Sequence, residues 1–158
     1  ELGVPLTLFR LDAGTQAAVV ELGISDFGEM TRLGKMARPD IAVYTLIGRS
    51  HLNALHDLDG VLRAKTELLD EMDRDALVVV NGDDVRLAAL KPAQRKLSYG
   101  MGAHNDVRAE NVEFDGGVSF DIVRGEYAPA SRLSAVTSYM LPWPLPASAW
   151  SWGLATTG

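Results

Sequence analysis

A chain of 158 residues with no cysteine and a formal net charge of -6 is long enough to bury a core without a disulfide or metal staple, so its stability says nothing about its function. The acidic balance argues against nucleic acid or an anionic membrane as the main partner, and without thiols any metal must be held by oxygen or imidazole. No apolar run approaches the roughly 20 residues of a membrane span, and Glu1 to Arg10 lacks the basic start and apolar stretch of a secretion signal, so the expectation is a soluble, cytoplasmic protein without membrane insertion.

In chain order, Pro5 to Leu11 reads as a short helix. Ala17 to Leu22 reads as a buried strand, because its apolar run shows no alternation. Gly28 to Ala37 is helical and closed by Arg38 and Pro39, and Ile41 to Leu46 is a second buried strand. Leu58 to Met72 is an amphipathic helix with Leu58, Val61, Leu62, Leu68, Leu69 and Met72 along one side. Leu77 to Val80 is a third strand, and Asn81-Gly82-Asp83-Asp84 forms a turn that caps a helix from about Val85 to Leu90. Strands alternating with helices imply an α/β fold with a parallel sheet.

After Lys96 the pattern changes to strands at Lys96 to Tyr99, Val107 to Phe114 and Val118 to Val123, the last two joined by a hairpin turn at Asp115-Gly116-Gly117. From Tyr127 onward the chain carries all three tryptophans, four of the seven prolines and one charged residue, Arg132, which is not a normal globular surface. Two units follow: residues 1–126 as the α/β unit and residues 127–158 as an atypical tail.

Glu21 stands at the carboxyl end of the first expected strand, the end that faces the ligand crevice in open α/β sheets, where a carboxylate can hold magnesium or simply cap a helix. His51 follows the second strand through Gly48-Arg49-Ser50 at the same edge, a place where a histidine is more often a loop residue than a ligand. Lys65 lies within the long helix, where the ordinary reading is a solvated face. Asn81, Asp83 and Asp84 would bring polar groups to the same crevice, although turn and cap explain them sufficiently.

The order of these residues and their surroundings carries further information. Gly3-Val4-Pro5-Leu6-Thr7-Leu8 is followed by Glu21-Leu22-Gly23, Gly28-Glu29-Met30, Ala37-Arg38-Pro39-Asp40-Ile41-Ala42-Val43, Ile47-Gly48-Arg49-Ser50-His51-Leu52, Arg63-Ala64-Lys65-Thr66-Glu67-Leu68 and Asn81-Gly82-Asp83-Asp84. In that order and spacing the segments resemble the central domain of the Mur ligase family, and Glu21-Leu22-Gly23 is similar to the branch that adds a dipeptide.

The resemblance implies a partial P-loop-type parallel sheet with flanking helices, followed by a small antiparallel β extension. It implies an ATP-dependent amide ligase of peptidoglycan precursor synthesis, with ATP and Mg2+ as cofactors and a nucleotide-sugar peptide and the dipeptide D-alanyl-D-alanine as substrates, monomeric at full length. Glu21 and His51 would bind magnesium, and Lys65 would become a carbamate offering an oxygen to a second metal. The alternatives are another ligase of the same type, resembling cyanophycin synthetase or folylpolyglutamate synthetase, and a non-catalytic α/β module.

The sequence departs from the family where Leu46 replaces an Asn, Asn53 replaces a Glu, and Leu55-His56-Asp57-Leu58 stands for a G-F-G-S turn. No G-x-x-x-x-G-K-[ST] phosphate loop occurs. The family carries it upstream of Gly3, so the expectation is a fragment, inactive by itself and weak in binding ATP.

The tail from about Ser131 reads as an out-of-frame translation. Taking each codon from the third base of the preceding residue, Ser134 to Gly153 permits Gly-Arg-His-Val-Val-His-Ala-Ser-Leu-Ala-Ala-Ser-Gly-Ile-Ser-Val-Val-Met-Gly. That string resembles the family's G-R-H-x-V-x-N-A-L-A-A-A segment, and such a tail should lack a designed packing partner. Sequencing the gene checks it: a shifted frame should continue into a C-terminal ligase domain, whereas an intact frame with no such continuation would end the idea.

Overall fold

The computed structural model describes residues 3–49, 51–114, 117–125 and 131–135. Helices α1 (Gly3–Leu8) and α2 (Glu29–Ala37) precede strand β1 (Ile41–Tyr44). Helices α3 (Leu52–Leu55) and α4 (Leu58–Thr66) and a 3-10 turn (Glu67–Glu71) lead to β2 (Leu77–Asn81), and α5 (Val85–Ala88) leads to β3 (Arg95–Gly100). Strands β4 (Val107–Phe114), β5 (Val118–Arg124) and β6 (Ser131–Ala135) complete one six-stranded sheet in the order β1-β2-β3-β4-β5-β6.

The first three strands are parallel, with Ile41 opposite Leu77 and Leu77 opposite Arg95. β3 meets β4 only through Tyr99 and Gly100 beside Val107 and Arg108, after which β4, β5 and β6 are antiparallel. A parallel sheet with an antiparallel extension is therefore the architecture, as the sequence implied.

Strands that follow one another in space as they do in sequence, each joined by a right-handed crossover, place their connections on one face. That face holds the core. Ala42, Tyr44, Val78 and Val80 pack under Met30 and Leu33 of α2, Val61 and Ala64 of α4, Leu68 of the 3-10 turn and Leu87 of α5. On β1 the alternate residues Ile41 and Val43 are 56% and 60% exposed, and their β2 neighbours Leu77 and Val79 are only partly covered. Parallel sheets normally bury both faces, so this face is apolar without a cover among the described residues.

Local chemistry sets the element ends. Asp57 and Asp84 cap α4 and α5, accepting from Gly60 N and from Arg86 N and Leu87 N. Lys96 Nζ closes the other end of α5 on the carbonyls of Ala88 and Leu90 (2.6 and 2.8 Å). Gln94 Nε2 donates to Leu69 O and Met72 O (2.8 and 3.3 Å), tying the 3-10 turn to the entry of β3. Removing that amide would leave two carbonyls short of a donor and cost about 1–3 kcal/mol.

Several expectations need correction. Ala17 to Leu22 is neither a strand nor buried: the segment is largely exposed and has no regular structure. An extended run needs a neighbouring ladder, and β1 remains the sheet edge without it. The helix expected from Leu58 to Met72 stops at Thr66 and tightens into a 3-10 turn. That turn packs closely on α2, where a Cβ on Gly34 would lie 2.9 Å from Leu68 Cδ1. In the tail, residues 131–135 do have a partner. β6 pairs with β5, and Arg132 bonds Asp121 Oδ1 (3.2 Å) and Glu113. The remainder of the tail and most of the 115–117 turn lie outside the described residues.

The Leu55-His56-Asp57-Leu58 turn carries backbone strain. His56 adopts φ 67° and ψ -57° while Asp57 N donates to Leu55 O at 2.8 Å, a γ-turn of the strained, positive-φ kind. The Leu55 carbonyl in turn abuts α4, where a Cβ on Gly60 would stand 1.8 Å from it. His56→Gly should therefore raise stability by about 1 kcal/mol, the relief of backbone strain exceeding the entropy that glycine loses. Denaturant unfolding measures this, and an unchanged or lower midpoint would contradict it.

Candidate functional site

The carboxyl ends of β1, β2 and β3 meet in a set of loops joined by side chains of the Asn81-to-Asp84 turn. Asn81 Nδ2 donates to Thr45 O (3.0 Å), so the loop after β1 is held to the end of β2. Asp84 Oδ2 accepts from Ile47 N (3.0 Å) while its other oxygen caps α5. Asp83 accepts from Met101 N (2.6 Å), Gly102 N (3.1 Å) and Asn105 Nδ2 (2.8 Å), gathering the loop after β3. Asp106 closes that loop on Ser98 N and Ser98 Oγ, both at 2.8 Å.

These bonds act on the carboxyls. The Met101 amide, assisted by Asn105 and Gly102, holds Asp83 below the ordinary Asp value of 3.8. The Ser98 amide and hydroxyl hold Asp106 below it as well. Asn105 is buried, and its Oδ1 has no hydrogen-bond partner among the described residues.

Lys65 lies half-buried near the end of α4, and one hydrogen bond and one nearby charge define its setting. The Tyr44 hydroxyl donates to the Lys65 carbonyl at 3.2 Å, fixing the peptide to β1. Burial raises the Tyr44 phenol well above its usual range, so it stays a neutral donor. Burial also lowers the Lys65 ammonium below its usual value, and the charge of nearby Glu21 opposes that shift. The structure thus brings Glu21 and Lys65 within electrostatic reach, although Glu21 sits on an exposed, irregular segment.

His51 does not join them as a cluster. It is exposed with φ 55° at the start of α3, and the preceding Ser50 lies outside the described residues. Among the described residues no three His, Asp or Glu side chains gather closely enough to hold a metal ion. What Glu21 and Lys65 offer is one carboxylate and one amine whose charged form is disfavoured. A neutral amine can take up carbon dioxide, and the resulting carbamate supplies hard oxygen of the kind magnesium takes. On donor chemistry the pair fits a divalent cation.

Two residues near the site escaped the sequence reading. Tyr44 lay inside the strand expected from Ile41 to Leu46, and its only signal was a phenol inside an apolar run. Glu67 fell on the helix expected from Leu58 to Met72 with no role of its own, but it reaches back to Gly28 N (2.8 and 2.9 Å to its two oxygens), Thr31 N (3.3 Å) and Thr31 Oγ1 (3.2 Å).

The profile of the Mur ligase middle domain matches residues 1–137. The UDP-N-acetylmuramoyl-tripeptide--D-alanyl-D-alanine ligase of Bacillus subtilis (strain 168) is 37% identical over 111 residues, covering 70% of this chain and 24% of its own length. The ligase of that name from Synechocystis sp. (strain PCC 6803) is 31% identical over 145 residues, covering 86% of this chain and 31% of its own length. A crystal structure of MurF from Acinetobacter baumannii superposes with a TM-score of 0.74 at 28% identity, over 85% of this chain and 30% of that one. The chain therefore spans a quarter to a third of the length of these relatives.

The lowered carboxyls set an acid limit. A group whose folded pKa is depressed stabilises the fold above its unfolded pKa and loses that contribution as pH falls through the folded value. Asp83 and Asp106 should accordingly weaken the fold from about pH 4 downward. Asp83→Ala should cost about 1 kcal/mol at pH 7, the low end for charged bonds because the carboxylate is partly exposed. The difference from the parent chain should shrink as the pH falls below 4. Urea midpoints across pH 2.5 to 7 check it, and a constant difference would contradict it.

Proposed function

This chain belongs to the Mur ligase family through its middle domain, and on that footing we propose that it is the Lys65-bearing part of an ATP-dependent amide ligase. The ligase joins D-alanyl-D-alanine to UDP-N-acetylmuramoyl-tripeptide. The observation that carries the reading is the match to the Mur ligase middle domain over residues 1–137, and a half-buried Lys65 whose ammonium burial disfavours, near the charge of Glu21, supports it.

In this reading the free Lys65 amine attacks the carbon of carbon dioxide. A carbon–nitrogen bond forms, one carbon–oxygen π bond opens to an oxyanion, and the nitrogen gives up a proton to solvent water. The carbamate and the Glu21 carboxylate would then be the oxygen donors to a metal, with His51, on the loop after β1, as the further ligand that the family resemblance implies. The Tyr44 hydroxyl fixes the Lys65 carbonyl and so limits where the amine can stand.

Bound magnesium would supply neutralisation of phosphate charge. The ligase reaction moves the γ-phosphoryl of ATP to the tripeptide carboxylate, releasing ADP. The dipeptide amine then attacks the acyl phosphate carbon and inorganic phosphate leaves. Asn81, Asp83 and Asp84 serve the nucleotide by setting the loops around the crevice, since their side chains already bond backbone or, for Asp83, Asn105. The out-of-frame reading, drawn from about Ser131, is kept only for the chain beyond β6, because residues 131–135 pair with β5.

In the whole ligase, Lys65→Ala should lower turnover by about 100-fold or more, and added short carboxylic acids should restore part of it by replacing the carbamate oxygen. Steady-state rates with and without acetate or propionate decide this. A wild-type rate in Lys65→Ala would make the lysine ordinary and remove the reading.

A further inference from the structure

Glu67 stands two residues after Lys65, where α4 gives way to the 3-10 turn, and its partly buried carboxylate is bonded to the start of α2. Both oxygens accept from Gly28 N, and one also accepts from Thr31 N and Thr31 Oγ1. Gly28 is the N-cap of α2, with φ 77° and no side chain of its own to satisfy the first helical amides. The orphan donors at this helix start are therefore met from 39 residues away.

A second set of contacts leads from α2 toward Glu21. Glu29 Oε2 accepts from Ser25 N (2.6 Å) and Asp26 N (3.2 Å), and Ile24 is buried in the core. The segment from Glu21 to Thr31 is thus anchored at Ile24, folded back by Glu29 and fastened at Gly28 to the turn that follows Lys65. Glu21 itself bears on Lys65 only through its charge, so its place depends on those anchors.

We infer that Glu67 is a positioning residue: by capping α2 from the turn after Lys65, it holds the segment bearing Glu21 beside the segment bearing Lys65. This rests on the reading of Glu21 and Lys65 as oxygen donors to a divalent cation. The geometry limits the substitutes. Asp is one methylene too short to reach Gly28 and Thr31 together. Gln keeps one acceptor oxygen, but its amide would face the Gly28 N–H.

The test uses the whole ligase and two readouts: Mn2+ affinity measured by electron paramagnetic resonance, and amide exchange of the peptides covering residues 21–31. Glu67→Ala should weaken Mn2+ binding about tenfold or more and raise exchange at Gly28 and Thr31 toward loop rates, with Glu67→Gln intermediate. Arg108→Ala, which loses its bonds to Glu110 and the Gly125 carbonyl on the antiparallel extension, should leave both readouts at wild-type values. Glu67→Ala with wild-type Mn2+ affinity and slow exchange overturns the inference, as does Arg108→Ala changing both readouts equally. Glu21→Ala separates the two ideas. If it leaves Mn2+ affinity unchanged the cation reading fails, and amide exchange in Glu67→Ala then decides alone whether Glu67 holds the segment.

Discussion

The helices among the described residues occupy one side of the sheet because β1, β2 and β3 lie in space in the order of the chain and each crossover turns the same way. The rest follows from that constraint. The core forms where α2, α4, the 3-10 turn and α5 meet Ala42, Tyr44, Val78 and Val80. The loops leaving the carboxyl ends of the strands are left side by side, close enough for Asn81, Asp83 and Asp84 to tie three of them together. A sheet that reversed direction would have separated those loops.

That arrangement explains how short polar motifs act at a distance. Asp84 caps a helix of four residues, which is too short to be stable alone. The same carboxylate also holds Ile47, on the loop that leads to His51. Glu67 does the corresponding work for α2. In each case a charged acceptor meets backbone donors that would otherwise lack partners, and charge-assisted bonds are the stronger kind. The loops are held by carboxylates more than by apolar packing, which suits a surface that must face a polar ligand.

The sequence made the parallel strands legible because Ala42-Val43 and Val78-Val79-Val80 are apolar runs bounded by turn residues. It also made the β4–β5 pair legible through alternation and a glycine turn. Ala17 to Leu22 misled because an apolar run reports burial only where a partner exists, and the sequence of one segment carries no information about its neighbour. β6 was missed since Ser131 to Ala135 reads as part of an odd tail, whereas Arg132 finds Glu113 and Asp121 across the sheet. At the site, Lys65 stood out through order and resemblance rather than spacing. Glu67 stayed hidden because its partners are remote in sequence, beyond the reach of any helical i, i+4 argument.

The uncovered face of the sheet has a thermodynamic meaning. Ile41 and Val43 leave apolar surface in water beside the partly covered Leu77 and Val79, and each Å2 removed from water is worth about 25 cal/mol. Any segment that settles on those side chains adds its burial to the free energy that keeps β1 and β2 folded. Unfolding of the two would then be one cooperative event, and denaturant sensitivity would rise with the extra surface hidden. β1 and β2 would melt as a unit with their cover, and the face would be the seam along which the cooperative unit extends beyond the residues described.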